Sequence, residues 1–170
     1  MEEVELNKEF ITSQLTSSFG HYIINSEETY GMITITVDRS KILEIMNYLY
    51  LDPKLSFTFL TDLTGVHFPE PKDELGVVYH LHNLPANIRL RIKTFFPKSD
   101  SVIDSLTSLF SSANFMERET YDFFGIIFKG HPNLKRILNV DDLDYFPLRK
   151  EYALEDSTRT DKDDTMFGRG

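Results

Sequence analysis

The chain has 170 residues, of which 41% are apolar, and this is enough for one domain with a buried core. It contains no cysteine, so it has no disulfides and no thiolates to hold an iron–sulfur cluster. The formal net charge of -9 argues against nucleic acid as a partner and favours a protein that docks on basic surfaces.

The first half of the chain predicts two helices and a pair of strands. Residues 7–19 have apolar side chains near helical spacing, and Gly20 ends this helix. Residues 32–38 alternate as a strand of the pair. Ser40 is the predicted N-cap of a second helix, which ends before Asp52 and Pro53.

The middle of the chain predicts three strands, at residues 56–62, 75–83 and 88–96. The connections at 69–73 and 84–87 are short, as is typical of antiparallel neighbours. In the third strand apolar residues alternate with the cations Arg89, Arg91 and Lys93, so one face is buried and the other polar. A helix from Asp100 or Ser101 to Phe110 is predicted to cover the apolar face.

A last helix is predicted to begin at Asn114 as N-cap, with Glu117 closing a capping box, and to end at Gly125. Arg118 and Asp122 are four residues apart and share one face of it. Two interpretations stay open: an exposed salt-bridged face, or charged groups that need a partner or a buried counterpart.

These elements predict an α+β fold, a two-layer domain with a mixed or antiparallel sheet covered by helices. The domain spans residues 1–140, and residues 141–170 form an extended charged C-terminal arm. The polar end of this arm carries only isolated apolar anchors, so it is either an arm ordered on another protein or a disordered terminus. No apolar run approaches the roughly 20 residues of a membrane span, and residues 1–5 are acidic where a secretory signal is basic.

Other polar clusters are weaker candidates for a site. His80 and His82 share one strand face and present two imidazoles, but no third ligand is fixed nearby, so a polar sheet face beside the cations is favoured over a metal site. Two acidic clusters lack the ligand pattern of a calcium loop, and we interpret them as solvated or partner-facing turns. Their residues are Asp141, Asp142, Asp144, Asp161, Asp163 and Asp164. His131, before Pro132, is predicted to shape a turn by hydrogen bonding.

One block of the sequence carries a family resemblance. It reads Glu117-Arg118-Glu119-x-x-Asp122-x-x-Gly125-Ile126-x-Phe128-x-Gly130-His131-Pro132-Asn133-Leu134-x-Arg136-Ile137-Leu138, followed by an acidic turn and Pro147-Leu148-Arg149-Lys150. This block resembles the signature of the C subunit, or 30 kDa subunit, of respiratory complex I, the NADH:quinone oxidoreductase. The resemblance extends more loosely over residues 57–152. It departs at Leu143, where the family usually has tryptophan, and at Tyr145 and Phe146, where it usually has Gly-His.

The resemblance implies a non-redox subunit in the peripheral arm of a proton-translocating NADH:quinone oxidoreductase. Such a subunit docks on the D (49 kDa) subunit near the quinone-reducing end and supports electron transfer from NADH to quinone. It binds no cofactor and no nucleic acid and has no activity alone, whereas the complex uses FMN, iron–sulfur clusters, NADH and a quinone. It lies on the cytoplasmic face of the bacterial inner membrane, held there only through the complex.

By the same resemblance, twelve residues are assigned to the subunit interface or its support: Glu117, Arg118, Glu119, Asp122, Gly125, Gly130, His131, Pro132, Arg136, Pro147, Arg149 and Lys150. Two alternatives stay open. One is the equivalent scaffold subunit of a related membrane-bound hydrogenase or dehydrogenase complex. The other is a stand-alone metal-dependent hydrolase that uses His80 and His82.

Overall fold

A five-stranded sheet forms the centre of the fold in the computed structural model, which describes residues 6–68 and 75–152. The strands lie side by side in the order β1-β2-β5-β4-β3. Their bounds are Ile23–Thr29 (β1), Met32–Val37 (β2), Phe59–His67 (β3), Leu75–Asn83 (β4) and Ile88–Phe96 (β5). Neighbours are antiparallel except β2 and β5, which are parallel, so the sheet is mixed.

Three helices and two short strands complete the described part of the chain. The helices are Lys8–Phe19 (α1), Ile42–Leu51 (α2) and Ala113–Phe124 (α3). The short strands, Val102–Asp104 (β6) and Ile127–Lys129 (β7), pair in parallel apart from the main sheet. The predicted α+β class is confirmed. Within residues 6–68 and 75–152, no helix has the length and apolar character to span a bilayer.

The core lies between the helices and one face of the sheet. Buried residues of all three helices belong to one apolar cluster with alternate residues of β2, β4 and β5. The strand residues in it include Ile33, Ile35, Val37, Val77, Tyr79, Leu81, Leu90 and Ile92. The predicted alternation of β5 is confirmed, since Leu90 and Ile92 are buried while Arg89 is exposed. The other face of the sheet therefore points away from the helix layer.

Local hydrogen bonds explain where the first two helices begin and end. The Asn7 side chain accepts the N–H of Phe10 at the start of α1, and Gly20 ends that helix with φ 54, as predicted. The predicted Ser40 cap is wrong. Asp38 accepts the N–H of Ser40 and begins a single 3₁₀ turn, Arg39–Lys41, that leads into α2. The end of α2 before Pro53 is confirmed.

The predicted helix from residue 100 to Phe110 is wrong. β-branched Val102 and Ile103 instead form β6, because β7 supplies a parallel partner far along the chain. The helical spacing of Leu106 and Phe110 corresponds to a single turn, in which the Leu106 carbonyl accepts the N–H of Phe110 at 2.9 Å. Both side chains are buried, so the apolar pattern reports burial correctly but not secondary structure.

The strand predicted at residues 56–62 begins and ends later, at Phe59 and His67. Ser56 lies in a turn with φ 43, and its N–H bonds to the carbonyl of Asp52. The capping box predicted for α3 is also wrong, because the helix begins at Ala113, before Asn114. Gly125 ends α3 in the left-handed conformation with φ 70, as predicted.

The domain boundary at residue 141 stays a prediction. The N–H of Leu148 donates to Phe123 at 3.2 Å and the N–H of Lys150 donates to the His67 Nδ1 at 2.8 Å, so the chain stays bonded to the domain as far as these residues. The connection at 69–73 and the end of the arm, 153–170, lie outside the described residues.

Gly65 allows α3 to lie directly on β3. A Cβ atom at this position would stand 2.5 Å from the Phe124 Cδ2 and 2.9 Å from its Cγ. We expect Gly65→Ala to lower the free energy of unfolding by about 1–3 kcal/mol, because the ring must shift from a packed position. Urea unfolding measures this loss.

A double-mutant cycle provides the control for Gly65→Ala. In a Phe124→Leu background the smaller side chain leaves room for the new methyl group, so the penalty of Gly65→Ala should shrink. An equal penalty in both backgrounds would contradict the close contact between Gly65 and the Phe124 ring.

Candidate functional site

The side chain of Asp122 organises the segment that follows β7. Its Oδ2 accepts the backbone N–H groups of three consecutive residues, Ile137 at 3.0 Å, Leu138 at 2.8 Å and Asn139 at 2.9 Å. Its Oδ1 accepts from Arg136 at 2.7 Å and from the side-chain amide of Asn139 at 3.1 Å. The carboxylate is fully buried in this cradle of donors, so it fixes the segment on α3.

These donors also decide the charge state of Asp122. Burial by itself would raise the pKa of this carboxyl, but hydrogen bonds from Asn139, Arg136, Leu138 and Ile137 outweigh burial and hold the pKa well below its usual range. Because the folded-state pKa is lowered, the ionised carboxylate stabilises the folded chain at neutral pH. That contribution is lost only as the pH falls below the usual range of aspartate toward the lowered value.

Arg136 carries the same network to the far end of the segment. Its side chain is 9% exposed, and its Nη2 donates to the carbonyls of Leu143 at 2.6 Å and Tyr145 at 3.0 Å. Its guanidinium lies over the Phe146 ring at 5.2 Å. One arginine thus connects α3, through Asp122, to three points of the segment.

Arg149 and Gly125 join the end of the segment to the C-terminal end of α3. The Arg149 Nε donates to the carbonyl of Phe124 at 2.7 Å, and its guanidinium also lies over the Phe146 ring, at 4.6 Å. A Cβ at Gly125 would stand 2.5 Å from both the Arg149 Nη2 and the Phe146 ring. Gly125 is required here by its positive φ and by this close approach.

Arg118 does not pair with Asp122, although the two share a helix face. Its guanidinium donates instead to the carbonyls of Lys135 at 3.2 Å and Arg136 at 3.0 Å. The Asp122 carboxylate is instead bonded by Arg136, at 2.7 Å, and by donors of residues 137–139. The buried pair allowed by the sequence therefore exists, but its cation comes from residue 136.

His131 shapes the turn after β7, as predicted. Its Nδ1 accepts the N–H of Asn133 at 3.0 Å, so the ring proton is on Nε2, which donates to the carbonyl of Asn114 at 2.9 Å. Gly130 has φ 88 in the same turn, and Pro132 is exposed. The start of α3 and the turn are thereby joined.

Glu117 lies inside the domain and is fully buried. Its carboxylate accepts the N–H of Leu106 at 2.7 Å and the hydroxyl of Ser105 at 2.7 Å. Burial raises the pKa of Glu117 to about 7, and these two hydrogen bonds oppose the rise. Burial, with the nearby charge of Glu117, also raises the pKa of Tyr79 well above its usual value. Glu117 therefore supports the loop after β6.

The organised segment presents apolar side chains outward. Leu138 and Val140 of the segment are each 66% exposed, and Phe115 on α3 is 62% exposed. We define the apolar patch as Phe115, Ile137, Leu138, Val140, Tyr145 and Leu148, all exposed. Exposed apolar surface on α3 and on this segment makes them candidates for an interaction site. Sequence reasoning did not select these residues, although the apolar residues 137, 138 and 140 fit no helix or strand period and so signalled a special role.

The remaining assigned residues divide between support and surface. Pro147 is half-buried next to Phe146, whereas Glu119 and Lys150 are exposed. Asp141, Asp142 and Asp144 are exposed, and Asp161, Asp163 and Asp164 lie outside the described residues. Support by Asp122, Arg136, Arg149 and Arg118 is direct in the geometry, while contact with a partner stays a prediction for all twelve.

The two histidines of β4 lie on the polar sheet face, as predicted. The Arg91 Nε donates to the His80 Nε2 at 2.9 Å, and a ring nitrogen of His82 lies 3.2 Å from the Asn87 side-chain oxygen. Burial, followed by the charge of Arg91, lowers the pKa of His80. Residues 6–68 and 75–152 contain no group of three histidine or acidic side chains arranged to hold a metal ion.

Comparison with known proteins extends the sequence resemblance. A family described as "Respiratory-chain NADH dehydrogenase, 30 Kd subunit" matches residues 35–158. A relative from Citrifermentans bemidjiense, the C subunit of an NADH-quinone oxidoreductase, is 42% identical over 146 residues, 86% of this chain and 89% of that protein. A protein of the same name from Geobacter metallireducens is 39% identical over 145 residues, 84% and 87% of the two chains.

Two solved structures share the fold. A trypsin-resistant fragment of Nqo5, residues 1–134, superposes with a TM-score of 0.64 at 31% identity, over 74% of this chain and 98% of the fragment. A chain of the archaeal membrane-bound sulfane sulfur reductase gives a TM-score of 0.72 at 21% identity, over 86% and 85% of the two chains. The second likeness shows the fold alone.

Asp122→Ala should destabilise the isolated chain. The change leaves Arg136 buried without its counter-ion and three backbone N–H groups without an acceptor, so we expect a loss of about 3–5 kcal/mol in the free energy of unfolding. Urea unfolding of the free chain measures it. Glu119→Ala, an exposed carboxylate on the same helix, is the matched control and should change stability by less than about 0.5 kcal/mol. Equal effects of the two variants would contradict the buried network.

Glu117→Gln should stabilise the chain above pH 7. A carboxyl whose pKa is raised on folding to about 7 binds its proton more tightly in the folded than in the unfolded chain. Its ionisation therefore costs stability, up to about 3 kcal/mol between the two pKa values. The amide can still accept from Leu106 and donate to Ser105, and it stays neutral.

Unfolding at pH 5 and pH 8 tests the Glu117 prediction. The native chain should lose more stability than the variant between these two values, because only the native chain carries this carboxyl. Identical pH profiles for the two proteins would show that Glu117 ionises without cost in the folded state.

Proposed function

Because this chain belongs to the family of the 30 kDa subunit of respiratory-chain NADH dehydrogenase, we propose that it is a non-redox subunit in the peripheral arm of a proton-translocating NADH:quinone oxidoreductase. It docks on the D (49 kDa) subunit near the quinone-reducing end. There it supports electron transfer from NADH to quinone by holding neighbouring subunits in place, and it has no catalytic activity alone.

The apolar patch carries this proposal. Leu138 and Val140, each 66% exposed, stand on a segment that buried polar bonds hold rigid. A hydrophobic centre with a polar rim is the usual anatomy of a protein–protein interface, and here exposed Glu119 and Lys150 supply such rim groups. The patch is therefore the surface we assign to the D subunit.

The rigidity of the segment favours binding. Docking a mobile loop costs conformational entropy, roughly 0.5–1.5 kcal/mol for each side chain that becomes ordered. In the free chain the bonds of Asp122, Arg136 and Arg149 already fix the backbone from residue 136 to residue 149, so less conformational entropy is lost on docking. In this proposal, the charged residues Asp122, Arg136 and Arg149 support the docking surface from inside the domain.

The electron carriers belong to other subunits in this proposal. FMN, iron–sulfur clusters, NADH and the quinone are bound elsewhere in the complex, and a chain without cysteine offers no thiolate for a cluster. The chain lies peripherally on the cytoplasmic face of the bacterial inner membrane, held through its partners.

The alternative function is that of the same scaffold in a related hydrogenase or dehydrogenase complex. Co-purification of an NADH-oxidising flavin module with this chain distinguishes the two complexes.

A double substitution, Leu138→Asp with Val140→Asp, tests the docking surface. Two charges in the centre of the patch would be desolvated on docking, so recovery of the D subunit with the tagged chain from native membranes should fall at least tenfold, or about 1.4 kcal/mol. The free variant should unfold within about 2 °C of the native chain, since both side chains are exposed.

Leu51→Asp is the matched control for this test. Leu51 is 67% exposed but lies on α2, outside the apolar patch, so its change should leave recovery unaltered. Equal recovery of all three proteins would show that the apolar patch is not the docking surface.

A further inference from the structure

The sheet face opposite the helices is a second polar surface, which we call the open face and define by Phe59, His80, His82, Arg89, Arg91 and Lys93. The strand register places these side chains in rows across the sheet. His82 stands between Phe59 and Arg89, and His80 stands between Asp62 and Arg91. Phe59 is 48% exposed and Arg89 is exposed, although most of the sheet's apolar residues are buried beneath the helices.

Arg91 is fixed in orientation by a neutral partner. Its Nε donates to the His80 Nε2 at 2.9 Å, so the imidazole proton is on Nδ1, which lies 3.4 Å from the Asp62 carboxylate. The guanidinium is held by a hydrogen bond to a neutral ring rather than by a carboxylate. Its terminal amino groups bond to no acceptor among residues 6–68 and 75–152, so its fork remains available for bidentate binding.

Arg89 and Arg91 are two cations on the open face of an acidic protein. Lys93, on the same face, pairs with Glu27 at 3.5 Å. Neither arginine forms an ion pair with any carboxylate of the described residues. They stand two positions apart on β5, about 7 Å, and point the same way. With a net charge of -9, the chain has carboxylates in excess, yet none within residues 6–68 and 75–152 forms an ion pair with either arginine.

We propose that the open face is a second docking surface, whose occupant is an acidic segment of a neighbouring subunit with carboxylates that bind Arg89 and Arg91. An apolar side chain of the same segment covers Phe59. The proposal rests on the proposed function, because the partner belongs to the same assembly. The apolar patch belongs to α3 and the segment bonded to it, whereas the open face belongs to β3, β4 and β5, so we assign the two surfaces to two different neighbours.

Cross-linking in the assembled complex identifies the occupant. Arg89→Lys places a reactive amine where the native guanidinium is inert, and a carbodiimide joins that amine to a carboxylate in contact with it. Mass spectrometry of the purified assembly should find an amide between position 89 and an aspartate or glutamate of another subunit. The native chain, treated identically, should give no product at this position. A product with only this chain's own acidic residues, or none, would overturn the proposal.

Reversing the charge of Arg89 measures how much this arginine contributes to docking. Arg89→Glu should lower recovery of the cross-linked neighbour at least tenfold, with the melting temperature of the free chain changed by less than about 2 °C. Lys54→Glu is the matched control, because Lys54 is exposed and lies outside the open face. Unchanged recovery with Arg89→Glu would overturn the proposal. Binding of the native chain, but not the variant, to vesicles of anionic phospholipid would replace the protein occupant with a lipid surface.

Failure of this inference differs from failure of the proposed function. If the native tagged chain recovers no subunit of a respiratory assembly, the proposed function fails and this inference fails with it. If the native chain recovers the assembly and Arg89→Lys gives no cross-link to another subunit, the inference alone fails.

Discussion

The buried carboxylate of Asp122 joins two parts of the chain that neither a sheet nor a helix connects directly. Five donors converge on it from the segment after β7, and one of them, Arg136, passes the connection on to Leu143 and Tyr145. A buried charge with this many partners is stable only while all of them stay in place. The hydrogen bonds that compensate the charge of the Asp122 carboxylate therefore also fix the backbone of the segment after β7 on α3.

This arrangement places polar bonds inside and apolar side chains outside. Asp122, Arg136 and Arg149 bond to backbone groups of the domain, and the residues between them turn Leu138 and Val140 outward. The open face differs, since Arg89 and Arg91 stand on a sheet and form no ion pair with a carboxylate of the part of the chain that the structure describes. In our two proposals, one surface binds by apolar burial and the other by charge, so the two neighbours are recognised by different chemistry.

Local signals predicted much of the fold. Gly20 and Gly125 act on neighbours a few residues away, and the alternation of β5 needs only one buried face, so each could be predicted from the chain. The helix predicted up to Phe110 failed because β6 exists only through β7, more than twenty residues later. Ser56 failed as a strand residue because its turn is fixed by Asp52 and not by its own preference.

For the candidate site, residue types and their spacing were enough to identify the family that the block resembles. They also placed Arg118 and Asp122 on one face of a helix. Three-dimensional packing was needed to show that Arg136 is the counter-ion of Asp122, that Glu117 is buried, and that Leu138 and Val140 face outward. Helical spacing determines contacts within one turn. The donors of a buried carboxylate come from residues distant in the chain, and only the tertiary fold decides which of them lie beside it.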